Sequence, residues 1–183
     1  MTLSKTTFRQ NSLKTLKNSP IHNRLYKTSL VNKKLLMLLK SKKRQKILFY
    51  YPLDMEVNIV KTLVKLRKKH DIYIPFMVEQ SFKMVPFRLP LRRKKFNIFE
   101  AGNTNRKINK IDIAIVPIVG MDGNLQRVGF GKGMYDRFFE KLQNKPYTIF
   151  TQLELCYTKE FICDAHDISC DVLITPKKII GII

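Results

Sequence analysis

The sequence predicts an α/β fold, a three-layer α/β/α sandwich around a mixed, mostly parallel sheet. Three observations predict it. Residues 46–75 read strand, helix, strand, and such a unit needs a parallel pair with a helix packed on one face. "DIAIVPIVGM" (112–121), "YTIFTQL" (147–153) and "DVLITP" (171–176) are short apolar runs of the kind that fill buried strands. "SFKMVPFRLP" (81–90) alternates and carries two prolines, which suits an edge strand or hairpin arm and makes the sheet mixed.

The elements follow in order. Residues 3–17 read as a helix with Leu3, Phe8, Leu13 and Leu16 loosely on one side. Lys5 and Arg9, four apart, share a face of it. "NSP" (18–20) breaks it, and a second helix is expected from Ile21 to Lys40. "KILFYYP" (46–52) is a strand. Met55, Ile59, Leu63 and Leu66 predict a helix over 55–68, and "DIYIP" (71–75) is the next strand. Residues 91–109 are basic, polar and loop-rich. "DGN" (122–124) is a turn, and a helix is expected from Met134 to Leu142.

Composition bounds the function. A chain of 183 residues with 44% hydrophobic and 27% charged residues can build a core. One domain is expected over 1–183, and no linker interrupts it. No apolar run reaches the roughly 18 residues of a membrane span, and the N-terminus lacks the apolar segment of a signal peptide. A cytoplasmic location and a monomer are expected. Cys156, Cys163 and Cys170 form no CxxC pair, which argues against both a disulfide framework and a zinc site.

The net charge is +21, and the first acidic residue is Asp54. Lys33, Lys34, Lys40, Lys42, Lys43, Arg44 and Lys46 form one basic cluster, and Arg92, Arg93, Lys94 and Lys95 another. Such charge favours polyanions, so a basic nucleic-acid-binding α/β protein is one reading. No RNA-binding aromatic pattern or zinc-finger spacing accompanies it.

The chemistry concentrates in "GFGKGMYD" (129–136). The chain has only 7 glycines, and three of them stand here. A glycine-rich loop after a buried strand and before a helix is where α/β sheets hold ligands, because backbone N–H groups there can cradle an anion. Lys132 lies inside the loop, Arg127 before it, and Asp136 one turn into the helix. The segment matches neither GxxxxGK[ST] nor GxGxxG.

The longer stretch "VPIVGMDGNLQRVGFGKGMYDRFF" (116–139) resembles the signature of the 5-formyltetrahydrofolate cyclo-ligase (5,10-methenyltetrahydrofolate synthetase) family. That signature runs roughly VP-x(3)-D-x(2)-G-x-R-x-G-x-G-[GK]-G-x-Y-D-R. Lys5 and Arg9 resemble the family's N-terminal K-x(3)-R helix. "YYPLDMEVN", "IPFM", "FKMVPF" and "HDISCDVLIT" match further family segments in order, so the resemblance spans the chain. Met134 stands where the family often has a tyrosine, "FEAG" (99–102) lacks a usual proline, and Asn58 sits near a common threonine.

The resemblance implies an ATP- and Mg²⁺-dependent cyclisation of 5-formyltetrahydrofolate to 5,10-methenyltetrahydrofolate. It implies catalytic roles for Lys132 and Arg127. It places ATP against Lys5, Arg9, Arg127, Gly129, Gly131, Lys132, Gly133, Met134 and Tyr135. It places folate against Tyr51, Glu56, Met84, Lys132, Met134 and Tyr135, and Mg²⁺ at Asp136 and Asp167. Taken singly, Lys5 and Arg9 are an ordinary solvated helix face, Glu56 a residue at a helix start, Tyr51 and Met84 core, and Asp167 a loop residue. The joint pattern lifts them. A family member that binds without turnover is a third reading, against which stand the retained Lys132, Asp136 and Glu56.

Overall fold

The computed structural model describes residues 3–93, 99–104, 108 and 110–181. Two long helices come first. Helix α1 (Lys5–Lys17) starts where the Ser4 side chain accepts the Thr7 N–H. Its buried residues Phe8, Ser12 and Leu16 are four apart, one stripe facing inward. Helix α2 (Ile21–Lys40) follows Pro20 directly and buries Val31, Leu35 and Leu39 at the same spacing.

The remaining elements, in chain order, are β1 (Lys46–Leu48), α3 (Val60–Leu66), β2 (Asp71–Val78), β3 (Ser81–Pro86), β4 (Arg92–Arg93) and β5 (Phe99–Glu100). Then come β6 (Ile113–Pro117), β7 (Gly120–Met121), β8 (Arg127–Val128), α4 (Met134–Glu140), β9 (Tyr147–Thr151), β10 (Val172–Ile174) and β11 (Ile179–Gly181). Seven strands make one sheet in the order β11-β10-β9-β6-β1-β2-β3. The five inner strands run parallel, and β3 and β11 close the two edges antiparallel.

Side chains alternate across the sheet. Ile47, Ile113, Ile115, Ile149, Val172 and Ile174 face the core under α1, α2 and α3. Leu48, Ala114, Val116, Phe150 and Leu173 face the core that holds Phe138 of α4 and Phe82 and Met84 of β3. These are the three expected layers.

The strand order fixes where a site belongs. The chain lays β1, β2 and β3 to one side, then starts again at β6 and adds β9, β10 and β11 to the other. Neighbours β1 and β6 therefore send their following loops in opposite directions, and a crevice opens beyond their carboxyl ends.

Three expected elements differ. The helix expected from residue 55 starts at Val60, because Met55–Ile59 belong to a turn: Leu53 O accepts from Glu56 N, and Glu56 Oε2 accepts from Leu53 N. The strand expected over 112–121 stops at Pro117. Gly120 and Met121 pair instead with Val128 and Arg127 as a separate hairpin. A Cβ at Gly120 would stand 2.4 Å from the Phe8 ring, so α1 packs on bare backbone there. The segment 91–109 carries a short β4–β5 pairing, and Lys94 and Lys95 of the second basic cluster lie outside the described residues.

Candidate active site

Two loops leaving β1 and β6 build the site. After β6, the β7–β8 hairpin delivers Arg127 and then the glycine loop. Arg127 is 6% exposed, and its Nε donates to Pro117 O at 3.0 Å. Its guanidinium carbon lies 4.9 Å from the centre of the Tyr135 ring. Burial works against its charge, while Asp136, Tyr135, Glu56 and Asp167 support it.

The three glycines serve different ends. Gly129 leaves room for Arg127: a Cβ there would stand 2.3 Å from Arg127 Nη1. Gly131 and Gly133 have φ of +89° and +59°, which side chains rarely adopt. Their even spacing in the sequence does not separate a need for φ from a need for space.

Helix α1 closes over this loop. Arg9 Nε donates to Gly129 O at 2.9 Å. One turn earlier, Lys5 Nζ reaches Asp164 Oδ2 at 2.9 Å and is ion-paired to Asp167 Oδ2. Burial lowers the Lys5 pKa, but the bonds to Asp167 and Asp164 outweigh it, and the ammonium is held above its usual value. The Asp167 side chain is 6% exposed and also accepts the Asp164 N–H at 2.7 Å. Asp136, in the first turn of α4, accepts from Ile168 N at 3.4 Å. A cleft of about 900 Å³ opens among Lys5, Arg9, Arg127, the three loop glycines, Asp136 and Asp167. Its size and cationic walls suit a phosphorylated ligand.

The second half lies behind Arg127. Glu56, in the turn after β1, has solvent at part of its surface but is densely surrounded by protein. Burial pushes its carboxyl up to about 7, against the Leu53 N–H bond and the Arg127 charge, which both pull it down. Tyr135 lies edge-on to Phe82 at 5.0 Å, and burial raises its phenol, with Glu56 adding to the effect. Tyr51 packs its ring 5.1 Å from Phe99. Met134 is partly buried against the α4-side core.

Two expected residues sit differently. Met84, expected among the substrate contacts, is 3% exposed and packs inside the core with Phe82 and Phe138. Lys132 is exposed at the loop apex and is not in the cleft wall. Two partners escaped sequence reasoning. Asp164 had no motif to mark it. Arg137 stands in the quoted "MYDRFF" but was given no role.

The model of the 5-formyltetrahydrofolate cyclo-ligase family matches residues 1–176. The chain belongs to this family. A 5-formyltetrahydrofolate cyclo-ligase of Mycoplasma pneumoniae is 28% identical over 149 residues, covering 80% of this chain and 83% of that one. A probable 5-formyltetrahydrofolate cyclo-ligase of Schizosaccharomyces pombe is 26% identical over 136 residues, covering 64% and 67%. The solved structure of an Aquifex aeolicus 5,10-methenyltetrahydrofolate synthetase superposes with a TM-score of 0.81 at 25% identity, covering 96% of this chain and 91% of the other. The Aquifex aeolicus synthetase and this chain thus share the fold over nearly their whole length. No helix among the described residues is long and apolar enough to cross a membrane.

Proposed function

We propose that this chain catalyses the ATP-dependent closure of 5-formyltetrahydrofolate to 5,10-methenyltetrahydrofolate, with release of ADP and phosphate, as a single domain over 1–183. Family membership supports the reading. The observation that carries it is Arg127, a buried cation that lines the cleft with Asp136 and Asp167 and is also supported by the charge of Glu56. One buried cation joins a cleft roomy enough for a nucleotide to a carboxyl suited to a heterocycle.

The chemistry needs that junction. A formamide oxygen is a poor leaving group. Transfer of the γ-phosphoryl group makes an O–P bond to that oxygen and breaks the bond to ADP. The N10 amine then attacks the formyl carbon and gives up its proton, and the C–O bond breaks as phosphate leaves. Catalysis of this kind is mostly positioning and charge stabilisation.

The residues divide accordingly. Lys5, Arg9 and the backbone of Gly129, Gly131 and Gly133 hold the nucleotide, with Met134 and Tyr135 at the boundary between ligands. Arg127 and Lys132 stabilise charge on the transferring group. Glu56 accepts from the pterin amino group and ring N–H, and Tyr51 flanks the ring, with Met84 packing behind. For Mg²⁺ the donor set fits: Asp136 and Asp167 are hard oxygen donors, and the described hydrogen bonds to Asp167 both fall on Oδ2. When bound there, the ion neutralises phosphate charge during transfer.

The test is the absorbance of the methenyl product, followed with 5-formyltetrahydrofolate in the presence and absence of Mg-ATP. Turnover only with both nucleotide and metal is expected. Tight binding of folate or nucleotide without product would favour the non-catalytic reading.

A further inference from the structure

Arg137 projects from α4 toward two backbone carbonyls that belong to different parts of the site. Its Nη2 donates to Lys132 O at 2.5 Å, in the glycine loop. Its Nε donates to Gln80 O at 2.9 Å, at the tip of the β2–β3 hairpin, and Nη2 bonds to the same oxygen. A second tie runs alongside, from Ser81 Oγ to Met134 O at 3.3 Å. Gly133 makes the reach possible: a Cβ on it would stand 2.7 Å from Arg137 Nη1.

The loop is thereby gripped twice. Arg9 holds the carbonyl of Gly129, and Arg137 holds the carbonyl of Lys132. Between these points lies Gly131 at φ +89°, a residue that does little to stiffen the backbone by itself. The Lys132 side chain is exposed. Among the described residues no hydrogen bond or ion pair holds its ammonium, so its aim depends on where its backbone is fixed. A guanidinium is the right group for the task, because its fork of N–H donors can serve two carbonyls at once, which an ammonium on a flexible stem does poorly.

We propose that Arg137 is a positioning residue that sets the direction of Lys132 by locking the glycine loop to the β2–β3 hairpin. The inference rests on the proposed function for the role of Lys132. It assigns Arg137 no contact with either ligand.

The test uses Arg137→Ala, Arg137→Lys, Lys132→Met and the double variant Lys132→Met/Arg137→Ala. A misaimed catalytic group typically costs about 10²-fold, so Arg137→Ala should lower kcat by roughly 10- to 100-fold. KM for folate should stay within about threefold, since its binding groups are untouched, while KM for nucleotide should rise with the loosening of the glycine backbone in the cleft that Arg137 also lines. Arg137→Lys should recover only a small part. If Arg137 acts through Lys132, adding Arg137→Ala to Lys132→Met should cost less than about threefold more, because coupled residues are non-additive. Guanidinium ion added to Arg137→Ala should restore part of the lost rate and do nothing for Lys132→Met. Amide exchange should rise together over residues 129–134 and 79–82.

Full multiplication of the two single losses in the double variant would overturn the proposal, as would unchanged exchange in either segment. If Arg137→Ala does not fold, Arg137→Lys carries the same comparisons. A wild-type chain that makes no product overturns the proposed function instead, and the paired exchange change then decides the lock by itself.

Discussion

Replacing Glu56 with glutamine should weaken folate binding while stabilising the free protein, and both effects follow from one carboxyl. In the free protein burial pushes Glu56 up to about 7. The pterin presents two adjacent donors, which the ionised carboxylate accepts and the protonated acid does not. Wild-type folate affinity should therefore fall about tenfold between pH 8 and pH 6, as the free carboxyl takes up its proton. Glutamine offers one acceptor and one donor, so one contact becomes donor against donor. The loss should be about 2 to 4 kcal/mol at pH 8, and the pH dependence should flatten.

The stability sign is the reverse. A carboxyl whose folded-state pKa lies above its unfolded value contributes fully below the unfolded pKa, and that contribution is lost as pH rises through the folded one. Here that window runs from about 4.5 to about 7. At pH 8 the fold carries an ionised group it disfavours, so Glu56→Gln should raise stability by about 1 to 3 kcal/mol, and near pH 4 by almost nothing. The assays are fluorescence titrations with folate and with nucleotide, each at pH 6, 7 and 8, and thermal melts at pH 4 and 8. Nucleotide binding that fell as far as folate binding would refute the division of the site. A variant that kept the tenfold pH dependence would show that another group titrates.

The other expectations are simpler. Product formation should stop in excess chelator, and continued turnover there would remove Asp136 and Asp167 from metal binding. Asp136→Asn should abolish most activity yet change unfolding free energy by less than about 1 kcal/mol, since it is partly exposed and accepts one long bond; a large drop in the melt would make it structural. Lys132→Met should lower the maximal rate by about 10²-fold with folate binding little changed, and equal losses in both would make it a substrate anchor. Gly133→Ala should cost about 1 to 2 kcal/mol of stability, from its φ of +59° and the crowding of Arg137; a neutral melt would show that the loop rearranges freely.

The fold was legible where local signals and burial agree. Pro20 and the four-residue apolar spacing mark α1 and α2, and the strand–helix–strand unit gives the parallel β1–β2 pair. Legibility failed where a distant contact decides. Met55 and Ile59 continue the helical spacing of α3, but the Glu56 carboxylate caps its own turn and delays the helix to Val60. Residues 113–121 carry no charge, so the pattern does not show that Gly120 and Met121 leave the sheet to pair with Val128 and Arg127 beneath Phe8. In the cleft, Arg127, the three loop glycines and Asp136 of the long motif stand together with Lys5, Arg9 and Asp167, whereas Lys132 does not line it. The Asp164 ion pair and the bonds of Arg137 were not legible, because each depends on a backbone or side-chain partner brought close only by folding.

The reach of α1 has a consequence for how the chain is made. Leu3 N donates to Glu160 Oε2 at 3.1 Å, and Lys5 pairs with Asp167, 162 positions later. A ribosome adding about 5 to 20 residues per second makes Lys5 roughly 10 to 30 seconds before its partner. A 13-residue helix is marginal in water by itself. Throughout that interval Phe8 and Leu16 lack part of their cover, and the cleft beside Arg127 lacks the wall that Lys5 and Arg9 supply. The nascent chain passes most of its synthesis with that cleft open on one side and with a short basic segment whose apolar stripe is still uncovered.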